Sequence, residues 1–499
     1  MHQALLVPEV LLEIFAYLNT IPSKTTSTLK LFAALARTCK IFYEPAMDVL
    51  WTEIHGLEPL LGCVTRLHPL IDRRGTMWDC DQSWAKGVEP LSAREVHQFL
   101  RHSFRVRALN IQSYHPHLLS VIPAEAYVFP RLKSLSLSIT YLNLFLPRML
   151  HRCHLSSVDE GLQSFVTRCI ALEHLCIHRT PGIHDIGNTA NELSLLSDRI
   201  RWCTRLVTLY CPMLDWETWK HLSHLPTLLK LEIDRGPEYE DPPSLSNRDL
   251  VNLSFLNITS LSFLQLYNSA NIIIVMQHSQ FPSLKNFKFQ AFYLSLEEAE
   301  QLLHALSHCK ACRTLEEIII CCLEVRRELE YPEFLTPTPH LLCFTQLRTL
   351  QLMFTDFYIY LDNDLLLQAM SIWPHIRTLK INYSDASMSS SGSEVTLHGL
   401  FTALSLCPHL HTLQVPINTA IIDVDPDAEP MQHISLRSLE LETSDPEIAD
   451  ADAETLAGII SAWLPCIDRV RNMGRSWHEV NVHLISLRAA TAPYDVEAS

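Results

Sequence analysis

The sequence predicts an α/β chain in which a short all-helical domain is followed by a solenoid of about twelve strand-helix units. Three observations predict it. A short apolar frame returns along most of the chain, amphipathic stretches at helical spacing stand between its copies, and the N-terminal segment has helical periodicity without the frame.

The first element is LVPEVLLEIFAYL, residues 6–18. Pro8 suits the first turn of a helix, and Val10, Leu11, Ile14, Phe15 and Leu18 fall on one broad face at helical spacing. Leu12 and Tyr17 carry apolar surface round the side, which is more than one core face uses. Glu9 and Glu13 interrupt the stretch and no Lys or Arg precedes it, so it does not read as a secretory signal. After the polar connection NTIPSKTTST, the segment LKLFAALARTCKIFYEPAMDVLW reads as two more short helices ending near Trp51. A helical domain is therefore expected over 1–64, with a connecting segment over 65–90 whose Trp78 and Trp84 serve packing.

The repeat is clearest in FPRLKSLSL at 129–137, where Leu132, Leu135 and Leu137 make an L-x-x-L-x-L pattern. It returns in CIALEHLCI, CTRLVTLYC, LPTLLKLEI, ITSLSFLQL, FPSLKNFKF, CRTLEEIII, FTQLRTLQL, WPHIRTLKI, CPHLHTLQV and HISLRSLEL, with a weaker first copy in SFRVRALNI. First apolar positions fall at 106, 132, 172, 206, 228, 261, 284, 315, 347, 376, 410 and 436. Helical stretches such as LSAREVHQFLRHS, DWETWKHLSHL and SLEEAEQLLHALSHC fill the intervals. Ser92 with Glu95 and Ser295 with Glu298 form capping boxes that start two of them. A short strand, a loop and a helix in regular alternation describe a leucine-rich repeat, whose stacked units bury a continuous core. The solenoid is expected over 91–488 and a disordered tail over 489–499.

Alternate strand residues face away from the core, so the middle position of L-x-L lines the open sheet face. In order these are Ser136, Cys176, Tyr210, Glu232, Gln265, Lys288, Ile319, Gln351, Lys380, Gln414 and Glu440. Tyr210, Glu232, Gln265, Lys288, Gln351, Lys380 and Gln414 are the candidates for holding a target protein, and the row mixes charge signs. The long segments HRTPGIHDIGNTA, DRGPEYEDPPSLSN, YSDASMSSSGSEV and NTAIIDVDPDAEPMQH all follow a strand, which puts them on one rim.

Composition narrows the function. At 499 residues and 47% hydrophobic, the chain supports a large core. A formal charge of −16 and no basic cluster argue against nucleic acid and anionic membranes, and no apolar run reaches spanning length. Fifteen cysteines without an export signal suit reduced thiols in the cytoplasm or nucleus. His304, His308, Cys309 and Cys312 have ligand-like spacing, but Cys312 stands in the packing column of Cys169, Cys203, Cys407, Phe129, Phe281, Phe344 and Trp373, so no metal is expected there. GIHDIGNT at 182–189 resembles a phosphate loop, but Asn188 stands where its lysine belongs. No catalytic motif is present, and no cofactor and no catalytic residue is expected.

The motif V-P-E-V-L-x-E-I-F-x-Y-L, followed by R-T-C-K-x-F and L-W, resembles an F-box, which docks a substrate receptor onto the small adaptor of cullin-RING ubiquitin ligases. The tail EPAMDVLWTEIHGLEPLLGCV is similar to the version common in fungal F-box proteins, and F-box with leucine-rich repeats is a familiar pairing in that family. The resemblance covers about residues 6–60 by motif. It implies that Pro8, Leu11, Ile14, Phe15, Leu18, Cys39, Phe42 and Trp51 face the adaptor. It further implies a substrate-recognition subunit of an SCF-type ligase, itself not an enzyme, with an adaptor on the F-box and a target protein on the repeats. The alternative is a repeat scaffold that is not coupled to ubiquitination.

Overall fold

The computed structural model describes residues 7–20, 26–68, 89–111, 128–137, 149–155, 171–178, 189–234, 251–267, 269–324, 334–355, 357–383, 393–419, 422–424, 430–443, 450–471 and 477–491. The fold is mixed α/β with a long parallel sheet of 15 strands in chain order, as a solenoid requires. Two compact units divide the chain, Met1–Leu214 with six of these strands and Asp215–Ser499 with nine.

The first unit opens with three helices, α1 (Pro8–Thr20), α2 (Thr26–Thr38) and α3 (Lys40–Thr52). Leu11, Phe15, Phe32 and Ala46 close their common core, with Leu18, Leu35, Ala36, Phe42, Val49 and Leu50 packed against it. Phe15 lies at the centre, 5.6 Å from the Phe32 ring and edge-on to Phe42 at 6.3 Å. The sheet then starts earlier than the sequence suggests. Strand Glu53–His55, inside the expected helical domain, pairs with Ala108–Ile111, and Gly56 turns the chain away at φ +82, a conformation costly to other residues. Arg105 binds α3 to the first repeat: its side chain is 8% exposed and forms ion pairs with Glu44 and Asp48.

The ladder continues through Ser134–Leu137, Arg152–Leu155, His174–Ile177 and Thr208–Cys211. Arg152–Leu155 is a repeat that the leucine pattern does not reveal, because LHRCHL places Cys153 where the frame has leucine. A shared backbone device recurs along the ladder: one carbonyl at the strand entry accepts two successive N–H groups from the next repeat. Lys133 takes His151 and Arg152, and His151 takes Glu173 and His174.

In the second unit the strands are Lys230–Asp234, Ser260–Leu266, Asn286–Ala291, Glu317–Cys322, Thr349–Phe354, Thr378–Tyr383, Thr412–Ile417, Ser438–Thr443 and Val470–Arg471. Strict alternation of half-buried and buried residues in Glu317–Cys322 and Thr349–Phe354 shows one face in the core and the other outside. Aromatic rings fill the interior here, with Phe255 stacked on Phe281 at 4.9 Å and Phe263 between Phe287 and Phe289.

The same carbonyl device corrects one copy. Leu229 accepts Thr259 and Ser260, and Thr259 accepts Lys285 and Asn286, which aligns Ile258 with Leu284. The frame of this repeat therefore begins at Ile258 rather than 261. ITSLSFLQL contains apolar residues at both spacings, and pairing of Leu261 with Phe287 and of Phe263 with Phe289 decides between them.

The helices follow the sequence closely where they are described: Ala93–Leu100, Thr189–Ile200, Trp216–Ser223, Leu296–His308, Asn363–Ile372, Leu397–Leu404 and Asp450–Trp463. Both capping boxes form in full. Of the packing column, Cys203, Cys407, Phe129, Phe281, Phe344 and Trp373 are buried. Cys312 is half-buried instead, because the turn is one residue longer there, with Leu315 bonded to Ala311 and Ala311 taking the buried place.

Helix His478–Thr491 reaches into the expected tail. Its Asn481 side chain accepts the Val470 N–H and donates to the Val470 carbonyl, both at 2.8 Å, in the place of a following strand. Among the described residues no helix is long and apolar enough to cross a membrane. Trp78, Trp84, residues 182–188 and most of the four long rim segments lie outside the described residues.

Candidate functional surfaces

Two surfaces of the chain are the candidate sites. The first is the outer face of the three N-terminal helices. Because α1 is apolar on more than one side, burying Leu11 and Phe15 at 3% exposure leaves Val7, Val10, Ile14 and Tyr17 outside, with Ile14 at 39% and Tyr17 at 72%. Leu29 and Leu31 of α2 and Ile41 of α3 are exposed as well.

The residues expected to face an adaptor thus divide. Leu11 and Phe15 turn into the unit's own core, and Leu18 and Phe42 pack against them. The correction has a simple cause: a three-helix unit this small needs its largest side chains to close its centre. Ile14 remains outside. Pro8 opens α1. Cys39 precedes α3 in extended conformation without a side-chain cap, and is half-buried. Trp51 stacks on His102 at 4.5 Å, nearly parallel to it. Burial holds the His102 pKa below its ordinary value, with Arg101 and Arg105 adding to the effect. Val10 and Tyr17 are outward residues that the expected adaptor-facing set did not include. The signal was present in their helical offset from Leu11 and Phe15.

The second surface is the open sheet face. In the first unit the register brings His55, Asn110, Ser136, His154, Cys176 and Tyr210 into one row. In the second unit Glu232, Ser262, Lys288, Ile319, Gln351, Lys380, Gln414, Glu440 and Arg471 share another. Gln265 is not in it: a bulge between Phe289 and Ala291 in the pairing pushes Gln265 out at φ +53, and Ser262 takes its place. Gln414 is in the row but is only 5% exposed, whereas Lys288 is exposed.

The rows differ in chemistry. The second-unit row mixes signs, and its neighbours include the pairs Lys230–Glu232 at 3.2 Å and Arg348–Glu316 at 3.4 Å. The first-unit row carries no carboxylate but holds imidazoles, a thiol and a phenol. Two of its members, His154 and Cys176, gather ligand atoms at one place with the neighbouring His178. His154 escaped sequence reasoning because its strand did. The cluster that the spacing did suggest is split: His304 and His308 stack on an exposed helix face, while Cys309 is buried and its thiol is pushed up to about 11 by burial.

No protein-family model and no curated protein matches the chain. Among solved structures it is similar to the complex of Rad7 and Elc1 in yeast, at 14% identity and a TM-score of 0.28 over 94% of this chain and 93% of that one. A protein from Bacteroides fragilis is similar at 13% identity and a TM-score of 0.24 over 69% of this chain and 66% of that one.

Proposed function

We propose that the chain is the substrate-recognition subunit of an SCF-type cullin-RING ubiquitin ligase, with the helical segment on the adaptor and the sheet face on a target protein. The observation that carries this reading is the two-sidedness of α1. Leu11 and Phe15 complete the core, yet Val10 and Ile14, with the largely exposed ring of Tyr17, present a second apolar face to the outside. Such a face fits a partner's apolar groove or helices. The sequence motif that resembles an F-box supplies the partner's identity, and the repeat face supplies a surface for the target. The chain does no chemistry in this reading. It raises the effective concentration of a target lysine near the ubiquitin-loaded enzyme.

A repeat scaffold without ligase coupling is the second reading. Its support is the docking of α3 on the first repeat through Arg105 and the Trp51–His102 stack, as expected of a helical cap on a solenoid end. The two separate in a pull-down of the adaptor by the full-length protein and by an Ile14→Asp, Tyr17→Asp variant with unchanged circular dichroism. Capture by the wild type and its loss in the variant supports the ligase reading. No capture by the wild type removes it and leaves the cap.

A further inference from the structure

The first-unit sheet face brings together three side chains of a kind that binds metal. Strand Arg152–Leu155 supplies His154 and strand His174–Ile177 supplies Cys176, and the two residues are direct partners in the parallel ladder. His178 comes two residues after Cys176, and its N–H donates to the Leu155 carbonyl at 2.8 Å, which keeps the chain paired and its side chain on the same face. One ligand thus stands across the ladder and two along a single strand. A nitrogen or sulfur atom of each lies within 4.8 Å of the other two, and among the described residues no other trio of His, Cys, Asp and Glu is so placed.

The cluster is held by its own contacts. The His154 and His178 rings lie 4.6 Å apart, and Tyr210 packs on the other side of His178 at 4.3 Å. Cys176 Sγ and His178 Nε2 share a hydrogen bond of 3.2 Å. A thiol and an imidazole that already share a proton are placed to share a cation instead.

We propose that His154, Cys176 and His178 form a zinc site with three protein ligands and a fourth position open on the sheet face. The donor set selects the ion. One thiolate and two imidazoles suit zinc and similar borderline cations, whereas calcium and magnesium require oxygen ligands. Zinc–sulfur and zinc–nitrogen bonds of about 2.3 and 2.1 Å put tetrahedral ligands roughly 3.3–3.6 Å apart. The widest pair must therefore close by little more than about 1 Å, which side-chain rotation supplies. Binding releases the Cys176 thiol proton to water, and both imidazoles bind neutral. Cys211 lies on the core side of its strand, fully buried, and is no ligand.

The test uses full-length, reduced, chelator-stripped protein with Zn²⁺ or Co²⁺ alone as probe. Competition against a chromophoric chelator is expected to show one tight zinc per chain in the wild type. His154→Ala, Cys176→Ser and His178→Ala, each with unchanged circular dichroism, should bind at least about 100-fold more weakly, since even outer partners of metal ligands cost 10–100-fold. Co²⁺ should give the wild type a thiolate-to-cobalt charge-transfer band that Cys176→Ser lacks. Cys312→Ser, at the other His- and Cys-rich place, should leave both readouts unchanged. Absence of zinc from the wild type, wild-type affinity in Cys176→Ser, or loss of the ion in Cys312→Ser would each overturn the site.

Discussion

Substituting Phe15 tests whether α1 has an inner and an outer face. Phe15 is 3% exposed and contacts the rings of Phe32 and Phe42, so Phe15→Ala leaves a cavity at the centre of a small core. Phe→Ala in a core costs about 3–5 kcal/mol. If opening of α1–α3 is local, its population rises by about 100-fold to a few thousand-fold, since each 1.4 kcal/mol is a factor of ten. The outward pair behaves differently. Exposed substitutions stay within about 0.5 kcal/mol each, so Ile14→Asp with Tyr17→Asp changes opening by at most about fivefold. Hydrogen exchange read by mass spectrometry on peptides from 8–52 measures both, with peptides from Leu296–His308 as internal reference. Equal acceleration in the two variants, or none in Phe15→Ala, would refute the assignment of faces.

Three further outcomes follow from contacts elsewhere. Arg66 hydrogen-bonds Glu95 at 2.7 Å, and this bond, together with the Ser92 backbone and hydroxyl, lowers the Glu95 pKa to about 2 from an ordinary 4.5. A depressed carboxylate stabilises the fold above its ordinary pKa and loses that contribution as pH falls through the folded value, so the Glu95 contribution fades between about 4.5 and 2. Carbon-detected NMR should show Glu95 titrating near 2 in the wild type and distinctly higher in Arg66→Ala; an unchanged midpoint in the variant counts against the pair. Burial pushes the Cys203 and Cys407 thiols up to about 12, so alkylation of native protein at pH 8 should leave both unmodified while the exposed Cys466 reacts, as peptide mass mapping will show. Ser295→Ala removes one half of the capping box on Leu296–His308 and should lower unfolding stability by about 1 kcal/mol in urea titration, whereas Ser307→Ala near the exposed end of the same helix should cost less.

The sequence is most legible where one residue type does one job. The capping boxes at Ser92 and Ser295 form because hydroxyl and carboxylate at that spacing can only satisfy first-turn amides. Regular leucine triplets set the register wherever the third position is also apolar. Legibility fails where an ambiguous residue does the packing. Cys153 fills a leucine place in Arg152–Leu155, and with that strand went His154. At Ser260–Leu266 two overlapping apolar triplets compete, and only backbone pairing with the neighbours selects Ile258 and Ser262 over 261 and Gln265. The helical segment illustrates a third cause. Apolar periodicity reveals that α1 is two-sided, but which side turns inward depends on the helices that arrive later, since Phe32 and Phe42 claim Phe15 and leave Ile14.

Parallel strands stacked in chain order present an unfinished row of peptide groups at the end of the stack, and any extended segment from another molecule could bind there. A side-chain amide has the same donor and acceptor as a peptide, so Asn481 answers Val470 as a strand would, yet it carries no second edge to pass on. Imitation here acts as a stopper at one residue: a side chain occupies both the donor and the acceptor of Val470, which leaves neither to a strand from another molecule.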